Sequence, residues 1–271
     1  MAGIFRGQGS SIARSLALLP ALLFAVLANF AAVAQLSEQP FLVVDPGMHT
    51  AAIKDVAVDA AGRLAVTGSD DTTVRVWSLT DGKLLRIIRT PVGPPLGLIY
   101  AVAMSPDGFL VAAGGLTVGP PGSIYLFDTR TGKMTARIPD LPAATYSLAY
   151  SSDGRYLAAG LGEQGGLRVY DRDRQWSEAF RDTDYGDDIH GATFAVDGRL
   201  ATTSRDGKVR LYDRGFRLVV PPLRSSREPF RIAFSPDGTV LAVGHVGAMA
   251  VDLFDGRSLA PLSPSACCNG T

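Results

Sequence analysis

The chain writes nearly the same turn five times. It reads "VDAAG" to Gly62, "MSPDG" to Gly108, "YSSDG" to Gly154, "FAVDG" to Gly198 and "FSPDG" to Gly238. In chain order the turn glycines stand 46, 46, 44 and 40 residues apart. Proline presets φ, aspartate bonds its own backbone, and glycine takes the left-handed position, so each copy joins two strands. An apolar run precedes every turn, as in "IKDVAV" 53–58 and "IYAVAM" 99–104, and a small-residue run such as "LAVTG" or "LAAG" follows. A third run ends in an aromatic ("VRVW" 74–77, "IYLF" 124–127, "LRVY" 167–170, "VRLY" 209–212, "VDLF" 251–254), and a more polar fourth run comes next, such as 83–88 or 216–220. Four strands at a period near 40–45 mark a propeller blade. The expected fold is all-β, a propeller of about five four-stranded blades near 49–90, 96–139, 143–181, 187–221 and 227–262, within 35–263.

The first 34 residues are of another kind. Arg6 and Arg14 are their only charges, and the apolar stretch 15–35 carries small residues at Ala32 and Ala34. This reads as a secretory signal peptide cut after Ala34, with an uncleaved membrane anchor as the alternative. The mature chain is then expected in the periplasm or outside the cell. The whole chain balances 26 basic against 26 acidic residues, so no field favours nucleic acid. Cys267 and Cys268, the only cysteines, are adjacent in a tail (264–271) read as disordered, and they supply no internal disulfide framework.

The first unit, "HTAAIKDVAVDAAGRLAVTGSDDTTVRVWSLTDGK" (49–83), resembles the WD40-repeat family. The resemblance implies that His49, Ser69, Asp71 and Trp77 form a buried hydrogen-bond chain that locks the blade. The fourth unit keeps a partial set, Ser204, Asp206 and Tyr212, with His190 near the histidine's place. Units two, three and five lack the turn aspartate. Family members close the ring with an N-terminal strand, and "PFLVV" (40–44) sits where that strand is expected. Either it completes a small five-blade ring, or it belongs to an absent later blade and the chain is shortened. The ending "PSACCNGT" favours the second reading. An unclosed ring would expose blade faces and self-associate.

Few residues suggest chemistry. His49 is assigned to the locking network, and His245 to a surface loop. No zinc or hydrolase motif occurs, and no cofactor is expected. Asp182, Asp184 and Asp187 in "RDTDYGDD" form a weak calcium candidate, against a solvated loop. Arg75, Arg168 and Arg210 recur in the third strands and are read as strand-edge packing. The blade entrances offer Asp55, Tyr100, Tyr146, His190 and Phe230, a poor metal set for a lactonase- or sugar-dehydrogenase-like enzyme. Exported bacterial proteins of similar repeat pattern often join such a propeller to a caspase-like peptidase, and this chain resembles the propeller part alone. The leading reading is a non-enzymatic scaffold for an unknown protein or peptide partner, with no membrane contact after signal cleavage. The alternatives are such an enzyme or a non-functional fragment.

Overall fold

A computed structural model describes residues 47–91, 97–116, 122–163 and 165–262. The chain divides into two compact units, Met1–Pro46 and Gly47–Thr271. The first lies outside the described residues, and with it the signal segment and the 40–44 run. The 264–271 tail with Cys267 and Cys268 lies outside them too.

The second unit is a succession of antiparallel sheets, each built from strands in sequence order. Blade one holds β1 (Ile53–Val58), β2 (Leu64–Ser69), β3 (Thr73–Ser78) and β4 (Leu84–Arg89). Blade two holds β5 (Ile99–Met104), β6 (Leu110–Gly115), β7 (Gly122–Asp128) and β8 (Met134–Leu141). Blade three holds β9 (Thr145–Tyr150), β10 (Tyr156–Leu161), β11 (Leu167–Asp171) and β12 (Ser177–Asp182). Blade four holds β13 (Ile189–Phe194), β14 (Leu200–Ser204), β15 (Lys208–Tyr212) and a short β16 (Leu223–Arg224). Blade five has three strands, β17 (Pro229–Phe234), β18 (Val240–His245) and β19 (Val251–Asp255).

The outer strand of blade four lies later than expected, and blade five has only a bridge in its place. The 216–220 run makes one bridge, Tyr212 to Leu218, and the paired outer strand of blade four comes later, at β16. The 258–262 run touches β19 through a bridge between Phe254 and Pro261 and the Leu262 N–H bonded to the Leu253 carbonyl. Pro261 has no N–H to extend that ladder.

Three of the five turns, those with a serine, build the same device. In "SPDG" the Ser105 hydroxyl donates to Asp107 (2.5 Å) and accepts from the Leu110 N–H (2.9 Å), while Asp107 accepts from the Phe109 N–H (2.9 Å). Ser235, Asp237 and Val240 repeat this, and Gly238 sits at φ 71°. The hydrogen bond from Ser235, with those from Thr239, holds the exposed Asp237 carboxyl at about 2.

Apolar clusters fill the four boundaries between successive blades. At each boundary the second strand of one blade packs on the inner strand of the next. Close approach requires small residues there. A Cβ on Gly68 would lie 2.6 Å from Ile99 Cγ2, and one on Gly160 2.5 Å from Ile189 Cγ2.

Among the described residues, no strand of blade five packs on β1 in this way. Blade five reaches blade one through Arg231, whose guanidinium donates to the Lys54 carbonyl (3.2 Å) and lies 3.6 Å from the Asp55 carboxylate. The outward face of β1 is consequently bare. Ile53, Val56 and Val58 are 56%, 61% and 54% exposed, whereas Ile99, Val102 and Met104, at the same places in β5, are 3%, 2% and 5% exposed. The fold is an all-β, incomplete propeller.

Candidate functional site

Two buried polar networks fix the trailing faces of blades one and four. In blade one, His49 Nδ1 lies 2.8 Å from Asp71 Oδ2 and His49 Nε2 lies 2.7 Å from Thr67 Oγ1. Trp77 Nε1–H donates to the same Thr67 oxygen (2.8 Å). A carboxylate only accepts, so Nδ1 carries the ring proton and Nε2 accepts from the Thr67 hydroxyl. The hydroxyl in this chain is therefore Thr67, not Ser69. Both side chains share one face of β2, but Trp77 pairs across from Ala65, beside Thr67. Ser69 caps the turn instead, accepting from the Asp71 N–H (3.1 Å) and donating to the Ala51 carbonyl (3.2 Å).

Burial alone would raise the Asp71 carboxyl. Hydrogen bonds from the Thr73 and His49 side chains, and from the Thr50 and Thr73 amides, outweigh it and hold it at about 2, against an ordinary 3.8. A depressed folded-state value contributes stability that is full above about pH 4 and is lost as pH falls toward about 2. The expected acid loss is about 2 kcal/mol larger in the native chain than in Asp71→Asn, read from urea midpoints between about pH 5 and about pH 2. Parallel pH profiles would refute this role.

Blade four rebuilds the network with different residues. The Tyr185 hydroxyl lies 2.8 Å from Thr202 Oγ1 and 2.8 Å from the Tyr212 hydroxyl, which donates to Asp182 (2.7 Å). Tyr185 takes the place expected of His190. Arg210 lies 3.8 Å from the Tyr185 ring centroid and donates to Asp206 (2.7 Å) and to the Asp184 carbonyl (2.6 Å). Ser204, like Ser69, caps a turn, donating to the Asp187 carbonyl (3.0 Å). The calcium candidates Asp182 and Asp187 make contacts of their own. Asp182 is turned to Tyr212, Asp187 accepts from the Asp188 N–H, and no metal-binding group of three His, Cys, Asp or Glu side chains forms among the described residues. Arg75, Arg168 and Arg210 are buried, not at strand edges. His245 ends β18 with its side chain fully buried and 2.9 Å from Asp252, so it is no surface-loop histidine.

The side chains that sequence reasoning grouped only as blade entrances form the most coherent site. Each inner strand starts with a shift of register, a β-bulge. The bulged positions are Lys54, Tyr100, Tyr146, His190 and the pair Phe230–Arg231. A bulge turns a side chain out of the sheet's alternation, here at the mouth of the ring. Tyr100 stacks on Tyr146 with centroids 5.4 Å apart and planes 7° apart. Tyr146 meets His190 at 5.1 Å, and His190 meets Phe230 at 4.8 Å. Arg231 lies 5.5 Å from the Phe230 ring centroid and turns back to Asp55. All four rings are half-buried. Burial lowers the His190 value, which keeps the imidazole neutral near pH 7. Burial raises Asp55, against the pull of Arg231. The mouth is thus an arc of aromatic rings ending on a charged pair. The signal was in the sequence: from Lys54 to Phe230 these positions are spaced 46, 46, 44 and 40, the spacings of the turn glycines.

Five successive antiparallel sheets, two of them locked by buried polar networks, define a β-propeller of the repeat type. The family model "WD domain, G-beta repeat" matches residues 46–78, 142–171 and 181–213. Three of the chain's units, the first, third and fourth, therefore match the WD40 repeat. The chain is 31% identical over 65% of its length to the WD repeat-containing protein SL1-17 of Schistosoma mansoni, of which it covers 55%. It is 37% identical over 39% of its length to the small ribosomal subunit protein RACK1y of Oryza sativa subsp. japonica, covering 28% of that protein. Over 46% of its length it is 35% identical to a guanine nucleotide-binding protein subunit beta of Zea mays, covering 33% of it. The chain thus spans about half the length of the first of these relatives or less of the others. All three come from eukaryotes, so the likeness to exported bacterial propellers rests on repeat pattern alone.

Proposed function

We propose that this chain is a non-enzymatic interaction module that holds a protein or peptide partner across the aromatic mouth. The carrying observation is the arc Tyr100–Tyr146–His190–Phe230, set by the bulge of each blade and left half-exposed. WD40-repeat proteins generally mediate protein–protein contacts, which supports the reading. Peptides selected from a random library on the folded protein are expected to slow amide exchange at the starts of β5, β9 and β13. Protection confined to outer strands would contradict the assignment.

The bare face of β1 supports a second contact, between copies of this chain. The pairing of one blade's second strand with the next blade's inner strand already occurs four times within the chain, so a second copy's blade five offers β1 what it lacks. Export is proposed on the apolar 15–35 segment. N-terminal sequencing of the mature product is expected to begin at Gln35, and a secreted product retaining Met1 would contradict cleavage.

A further inference from the structure

Arg168 sits on β11 and faces blade two, in the same third-strand position as Arg210 in blade four. The two guanidiniums have opposite fates. Arg210, 1% exposed, is met by the Asp206 carboxylate at 2.7 Å. Arg168, 8% exposed, has no such partner, because its blade lacks the turn aspartate. Its nearest acid is Glu178 at 3.5 Å, and Arg181 already engages both Glu178 oxygens at 2.7 and 3.0 Å. Arg168 Nη1 is buried and makes no hydrogen bond. A buried guanidinium that shares one carboxylate with a second arginine leaves uncompensated positive charge, which is costly unless something supplies an anion.

There is room for one. A cleft of about 430 Å³ opens between the outer strands of blades two and three, lined by Arg168, Arg181, Tyr170, Trp176, Ile138 and Pro142, with the exposed Asp140 at its rim. Tyr170 and Trp176 pack with the apolar cluster of this boundary, so the cleft is aromatic on one wall, and at its base two arginines share the single carboxylate of Glu178, which also lines it. We propose that this cleft binds a carboxylate on an apolar stem, carried by a peptide, with Arg168 and Arg181 receiving the carboxylate and Trp176 and Tyr170 flanking the stem. The internal repeat gives the chemistry, since the group that satisfies this arginine in blade four is a carboxylate. The cleft is separate from the mouth, so its failure would leave the proposed function standing.

The test uses the full chain and two N-acetylated peptides. One has an internal glutamate and an amidated end, and the other has neutral side chains and a free C-terminal carboxylate. Inorganic phosphate is titrated alongside. At least one peptide is expected to bind saturably by calorimetry and to shift Trp176 emission, and the stronger of the two identifies the source of the carboxylate. Arg168→Met is expected to weaken that binding at least tenfold, and Arg181→Gln by less. Without peptide, Arg168→Met is expected to melt at a higher temperature than the native chain, since an orphaned charge is gone. A purely structural arginine would do the reverse. Binding of neither peptide, affinity unchanged by Arg168→Met, a lowered melting point in that variant, or tighter binding of phosphate would each overturn the proposal.

Discussion

Asp206→Ala is expected to destabilise the fold by about 3–5 kcal/mol, the usual cost of stripping the partner from a buried charge. Arg210 would keep its contact with the Tyr185 ring and the Asp184 carbonyl, but its full charge would face a desolvated boundary between blades three and four. Most of that loss should return when Arg210→Met is added, because the apolar side chain needs no anion. Urea unfolding midpoints of the two single variants and the double variant form the cycle. Losses that simply add would show that the pair is not coupled. If Asp206→Ala fails to fold, the double variant is still expected to fold.

The second large effect concerns the bare strand. Val56→Asp with Val58→Asp is expected to abolish concentration-dependent association, weakening it by about a hundredfold or more. Full burial of each valine contributes about 1.5–3 kcal/mol, and an interface cannot bury a carboxylate in its place. The proposed contact would be head-to-tail, one copy's blade five on another's β1, and so would give a ring or an open chain of copies rather than a two-fold symmetric dimer. Light scattering across a concentration series reads it directly. A native chain that stays monomeric and monodisperse throughout would contradict the exposed-face account.

The turn period alone was enough to count blades, because proline, aspartate and glycine have narrow backbone demands that survive sequence drift. The locks were half legible. His49, Asp71 and Trp77 were readable by type, yet Thr67 and Ser69 are two residues apart on one strand face, and only the cross-strand position of Trp77 separates them. Tyr185 escaped because a tyrosine replaces a histidine, and His190 drew attention in its stead. The mouth was legible as a set of blade entrances, though not as a continuous arc of rings. Rings at strand starts look like ordinary core until the register shifts that turn them outward are known. Arg168 read the same as Arg210 in sequence, and its missing counter-charge became visible only once burial was measured.

Recognition at the mouth depends on the middle of the aromatic arc. Tyr146→Ala with His190→Ala removes the middle of the arc while leaving the Phe230–Arg231–Asp55 end in place. Calorimetry with a selected peptide is predicted to show affinity reduced by about thirtyfold or more, the scale of an aromatic anchor worth about 2 kcal/mol, in a variant whose circular dichroism still shows the native sheets. Unchanged affinity in a folded variant would place the partner elsewhere and contradict the reading of the aromatic arc as the site of recognition.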